Sequence, residues 1–211
     1  MSFVLTPAKA SDNTASVEQV SKEWAQANFQ MADQAQESMF EKLLQDVEQL
    51  KQANSNDAAA LIWSGIVKSS YAGIKGGIGA LSLVKEAKKD LERALEIDAD
   101  ALNGSAQMSL GTLYHKVPGW PIGFGDDKKA EQYLKKALEI NPNNKGANYF
   151  YGEYLYDEGH YRQAKSVLTH ALEIAPRQNA RIVDEHRHNE IKMLLAKVTK
   201  RLDKKSRKKN N

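Results

Sequence analysis

Cysteine is absent from this 211-residue chain, which excludes disulfide frameworks, thiolate metal sites and a cysteine nucleophile. No stretch approaches the roughly 20 consecutive apolar residues that a membrane-spanning helix needs. Two catalytic signatures are also missing, the Gly-x-Ser-x-Gly elbow and His-Glu-x-x-His. Gly73 to Gly79 is glycine-rich but lacks the Gly-Lys-Ser/Thr ending of a phosphate loop and follows a helical pattern instead of a strand. No positioned nucleophile and base can be read from the chain, so no catalytic residue, cofactor or resident metal is assigned. The apolar content is nevertheless 41%, enough for a substantial core.

Charge is unevenly spread. The net value of +3 hides a mildly acidic body and a basic end, Lys204-Lys205-Ser206-Arg207-Lys208-Lys209. Such a run suits nucleic acid or anionic lipid. It carries no aromatic residue to stack on bases, which disfavours nucleic acid and favours a solvated, disordered tail at 204–211.

What the chain does contain is a helix ending written three times. Ala94-Leu95-Glu96-Ile97, Ala137-Leu138-Glu139-Ile140 and Ala171-Leu172-Glu173-Ile174 recur at separations of 43 and 34 residues. A period near 34 with small residues and a terminal proline marks stacked helical hairpins. Upstream, Trp24, Phe29, Phe40, Leu43, Leu44, Val47 and Leu50 make an apolar stripe at helical spacing. It predicts two helices, about 16–32 and 36–53, in a degenerate hairpin closed by 57. Downstream, Ile182, Ile191, Leu194, Leu195 and Val198 share one face of a helix over 179–203 that would cap the stack.

Residues 145–178 resemble a tetratricopeptide repeat. Tyr151-Gly152, Leu155, Gly159, Tyr161, Ala164, Leu168, Ala171 and Pro176 fall in register with that motif. The preceding repeat matches through Leu110-Gly111, Tyr114, Ala130, Leu134, Ala137 and Pro142, with seven extra residues between its helices. The one before matches through Ser64-Gly65, Ala87, Leu91 and Ala94, with ten extra. The resemblance implies an all-α, right-handed α-solenoid with three repeats over 58–178. Two inserts are expected at the equivalent turns, about 69–80 and 115–126, with Asp57 and Asp126 as helix caps.

Ile62-Trp63-Ser64-Gly65-Ile66, the glycine-rich insert, Val117 to Asp127 and Asn148 to Leu155 together resemble a group of small exported bacterial tetratricopeptide proteins. The inserted repeats are more distantly similar to the T component of periplasmic tripartite transporters. This implies a periplasmic location. Ala8-Lys9-Ala10 fits the small-x-small pattern of a signal-peptidase site, although no charged start or full apolar core precedes it; the alternative for 1–15 is a polar leader on a cytoplasmic protein.

The first helix of each hairpin in this family lines a concave groove. Carried over, the groove residues are Ile62, Ile66 and Ser69; Met108, Thr112, His115 and Lys116; and Tyr149, Glu153, Tyr156 and Asp157. Clamps for a terminal carboxylate need Lys, Asn and Arg where this chain has Ile62, Ile66, Ser109, Gly146 and Phe150, so an acidic chaperone tail is disfavoured. The second insert carries Trp120, Ile122 and Phe124, and a loop with three large apolar side chains is expected to bury them, packing on the glycine-rich insert or lining a site. Trp120-Pro121 is an aromatic–proline bond, for which the cis form is accessible. Asp184, His186, His188 and Glu190 are metal-ligand types on a helix whose polar setting favours a solvated face. Two functions remain open: a protein- or peptide-binding scaffold, and a small-molecule or transport-accessory protein with its site between the inserts. Self-assembly into a homo-oligomer fits either.

Overall fold

The computed structural model describes residues 16–209. Ala8-Lys9-Ala10, the pattern that fits a signal-peptidase site, lies outside the described residues, as do Asn210 and Asn211. The chain is an α-solenoid of helical hairpins. The helices are α1 (Val17–Gln30), α2 (Asp33–Ala53), α3 (Ala58–Lys75), α4 (Gly77–Ile97), α5 (Ser105–Lys116), α6 (Asp127–Ile140), α7 (Lys145–Asp157), α8 (Tyr161–Glu173) and α9 (Arg181–Lys209).

Local chemistry starts these helices. The carboxylates of Asp57 and Asp126 each accept from two amides of the following turn, Ala59 and Ala60 in one case, Lys128 and Lys129 in the other. Asn144 caps α7 in the same way through the Ala147 amide. Within each repeat, a glycine on the first helix lets a leucine of the second come close. A Cβ built on Gly65, Gly111 or Gly152 would stand 2.5, 2.7 and 2.6 Å from Leu91, Leu134 and Leu168 respectively. The alanines flanking those leucines, Ala87 and Ala94, Ala130 and Ala137, Ala164 and Ala171, are all wholly buried. Small residues opposite large ones therefore set the spacing of each hairpin.

The first insert is not a loop. Ser69–Lys75 extends α3 and Gly77–Ala80 opens α4, with the reversal confined to Gly76 and Gly77, whose φ angles are +62° and +64°. The apolar residues around Tyr71 explain the extension. Tyr71 is 2% exposed and stacks on Phe40 of α2 with ring centroids 5.8 Å apart. It joins Val20, Ala27, Leu43, Val47 and Val67 in a second core that holds the N-terminal hairpin to the repeats. A helix of ordinary repeat length would lack this surface.

That second core is bordered by a buried ion-pair network. Lys68, 4% exposed, places its ammonium 2.8 Å from both Asp90 and Glu48. Asp90 also accepts from Ser64 at 2.7 Å and from Lys51 at 2.9 Å. Burial alone would raise the Asp90 carboxyl, but the bonds from Lys68, Lys51 and Ser64 outweigh it and hold the group below the usual carboxylate range.

At the other end, α9 packs on α7 and α8 through Ile191, Leu194 and Val198. It runs through Lys209, so the basic segment 204–209 continues the helix where a disordered tail was expected. Asp184 and Arg187 are also not solvated: they are 2% and 9% exposed. The Asp184 carboxylate is committed to Arg177, accepting from its backbone amide at 2.7 Å and from its guanidinium at 2.8 Å.

Candidate functional site

The helices that would line an open groove, α1, α3, α5 and α7, each pack on the next, and α9 follows α7. The start of α9 then meets the end of α1, where Phe29 lies 4.4 Å from the His186 ring. The concave side is thus closed at that end. Ile62 is wholly buried, and Ser69 bonds the Gly65 carbonyl.

The candidates of the later repeats fall into three groups. His115, Lys116, Glu153 and Asp157 are drawn together across α5 and α7. His115 Nε2 is 2.9 Å from Asp157 Oδ2, and Lys116 Nζ is 3.0 Å from Glu153 and 3.6 Å from Asp157. The imidazole stands edge-on to Tyr154 at 5.4 Å. Its Nδ1 is buried without a hydrogen-bond partner among the described residues, 3.7 Å from Asp127 Oδ1. Asp127 was missed in the sequence because it follows the capping Asp126 and reads as an ordinary first-turn acid.

The second group faces α9. Tyr149 and Phe150 lie under the Arg187 guanidinium at 4.4 and 4.5 Å. Burial, aided by Glu153 and Glu190, pushes the Tyr149 phenol up to about 12. Tyr156 is 5.5 Å from the Tyr161 ring, with Arg201 Nε 3.5 Å from its hydroxyl. Met108 sits apart, its sulfur beside Gly146 at the start of α7.

The third group is the loop Val117 to Asp126. Both of its ends adjoin His115, the first through Lys116 and the second through Asp127. Its backbone is pinned: Gly125 N–H donates to Pro118 at 3.0 Å and Asp126 N–H to Tyr114 at 2.9 Å. A Cβ on Gly125 or Gly123 would strike the carbonyls of Val117 and Pro118, so the chain can cross itself only with glycine there. The Trp120–Pro121 bond is cis. The expectation that all three large side chains are buried fails. Phe124 turns inward and stands edge-on to Tyr114 at 5.6 Å, with Lys88 Nζ 5.7 Å from its ring. Trp120 and Ile122 point to solvent, 89% and 66% exposed.

These features define a helical-repeat α-solenoid. The family model described as tetratricopeptide repeat matches residues 122–184, from the loop into α9. Among solved structures, the chain is similar to MamA of AMB-1, with 19% identity over 90% of this chain and 99% of that one and a TM-score of 0.50. It is also similar to YrrB, described as a TPR protein with an unusual peptide-binding site, with 24% identity over 78% of each chain and a TM-score of 0.45. No curated protein matches the chain in sequence.

Proposed function

We propose that the chain is a non-catalytic scaffold that binds an extended protein segment, using the loop with Trp120 and Ile122 as its anchor and the His115, Lys116, Glu153 and Asp157 cluster as its polar rim. The observation that carries this reading is the 89% exposure of Trp120 on a loop whose backbone is fixed. An exposed tryptophan does not stabilise the free chain, whereas tryptophan is among the residues that dominate binding energy. A preorganised loop also keeps the ordering cost of association small. The adjoining cluster offers an ammonium and two carboxylates within one side-chain length, suited to the backbone and polar groups of a peptide. Its mixed charge supports no preference for an acidic tail. The periplasm remains the proposed location, to be tested by fractionation of cells expressing the natural gene.

Selection of a random peptide library on the immobilised full chain tests the reading. Selected peptides should lose at least tenfold in affinity for Trp120→Ala and for Ile122→Ser, with the melting temperature unchanged. Failure to enrich any sequence, or peptides that bind both variants as well as the parent, overturns it.

A further inference from the structure

The last nineteen residues of α9 carry a charge pattern that neither the fold nor the proposed peptide site uses. On their inner side Ile191, Leu194 and Val198 are buried, and Leu195 and Leu202 pack against the core. On the outer side, Met193, Lys197, Lys200, Lys204 and Arg207 follow one another at spacings of four, three, four and three residues. That spacing places them in one stripe along the helix, about 21 Å long at 1.5 Å per residue. All five are exposed, Met193 by 65%.

Several cations elsewhere on the surface sit beside an acid of their own helix. Lys88 pairs with Glu92, Arg93 with Glu96, Lys135 with Glu131, Lys136 with Glu139 and Arg181 with Glu185, each three or four residues apart. Along the outer stripe of α9 Lys197, Lys200, Lys204 and Arg207 are one another's neighbours at those distances, and the single acid within reach, Asp203, stands three residues from Lys200 and four from Arg207 and leaves the stripe strongly positive. Asp203, the one acidic residue between 192 and 209, lies on the flank of the stripe. The body of the chain is acidic, so the molecule presents one basic edge with a defined orientation.

We propose that this stripe docks the protein on an anionic bilayer surface. A straight helix lies tangent to a plane along its whole length, so the four cations reach headgroup phosphates together. Met193 is placed to enter the headgroup layer. Duplex nucleic acid would meet the same cations through its phosphates alone, because only the outer face of α9 is open. Here Arg201 meets Tyr156 and Lys205 lies 4.8 Å over the Tyr161 ring, which holds the flank of α9 against α7 and α8. No aromatic residue stands on the stripe to stack an unpaired base.

The test uses the full chain with vesicles of phosphatidylcholine alone and of phosphatidylcholine with about one quarter phosphatidylglycerol, read by flotation. Each cation at an anionic surface contributes roughly a fivefold factor to partitioning. Binding is expected on the anionic vesicles only and should weaken as salt rises. It should fall at least about a hundredfold in Lys200→Glu/Lys204→Glu/Arg207→Glu. The neutral triple Lys200→Gln/Lys204→Gln/Arg207→Gln should fall between, and both should keep the parent melting temperature. Equal binding to neutral vesicles, no binding to anionic ones, or an undiminished triple variant overturns the proposal. Tighter binding to duplex DNA in the same buffer also overturns it, reassigning the stripe to nucleic acid.

Discussion

Leu168 fills the space over Gly152 that a side chain would occupy, its Cδ2 standing 2.6 Å from where a Cβ would be. Gly111 meets Leu134 in the same way, but there the Leu134 backbone nitrogen also lies 3.0 Å away. The distinction predicts a ranking. Alanine gains about 1 kcal/mol of helix propensity over glycine, against an overpacking cost of about 1–3 kcal/mol. At Gly152 the close atoms all belong to the Leu168 side chain and none to its backbone, so Gly152→Ala should cost about 1 kcal/mol net. At Gly111 the backbone cannot move independently, so Gly111→Ala should cost about 2 kcal/mol or more. Thermal melts should show Gly111→Ala the lower by several degrees, at roughly 2–4 °C per kcal/mol for a chain of this size.

Those glycines, leucines and alanines were legible because their spacing is fixed by contacts within one hairpin. What escaped the sequence depends on contacts between distant segments. The long α3 is written by Tyr71 stacking on Phe40, a partner 31 residues away. Gly73 to Gly79 looked like a loop because glycine is a poor helix former, yet only Gly76 and Gly77 take positive φ. The closure of α1 on α9 left no local trace in either segment. At the site, His115, Lys116, Glu153 and Asp157 could be placed on one face from repeat register alone, but not Asp127 beside them.

The inserted loop separates stability from recognition. Phe124 is packed on Tyr114, so Phe124→Ala should destabilise the chain by about 2 kcal/mol, less than a fully buried phenylalanine. Trp120 touches little, and Trp120→Ala should stay within about 0.5 kcal/mol of the parent. Melting curves of the two single variants check this directly, and a large loss in Trp120→Ala would mean that its ring is sheltered.

The Lys68–Asp90 network predicts a dependence on pH at both limits. Asp90 and Asp184 are held below the usual carboxylate range. For a depressed acid, the stability contributed is present above the unfolded value, about pH 4, and is lost as pH falls through the lower folded value. Burial alone would lower the Lys68 ammonium, yet its bonds to Asp90 and Glu48 raise it above the usual lysine range. Its contribution is present in full below the unfolded value, about pH 10.4, and fades as pH rises through the folded one. Asp90→Ala leaves Lys68 and Lys51 to share the partly exposed Glu48 and should cost about 3 kcal/mol at neutral pH. Denaturant midpoints across pH should show a flatter acid limb for that variant than for the parent.

The cluster at the base of the loop should divide in the same manner. His115 has a side chain only 10% exposed and packs on Tyr154 while bonding Asp157, so His115→Ala removes packing as well as a bond. A loss of about 2 kcal/mol is expected. Lys116 and Glu153 are 44% and 22% exposed at their side chains, and an ion pair so open to solvent is worth less than about 1 kcal/mol. A double-mutant cycle of Lys116→Ala and Glu153→Ala should return a coupling below that figure. The weakness of the pair is what suits it to a binding surface: a peptide group can replace either partner at little cost, whereas His115 is committed to holding α5 against α7. Lys116→Ala should therefore weaken a selected peptide while leaving the melting temperature in place. A coupling well above 1 kcal/mol would instead assign the pair to the fold.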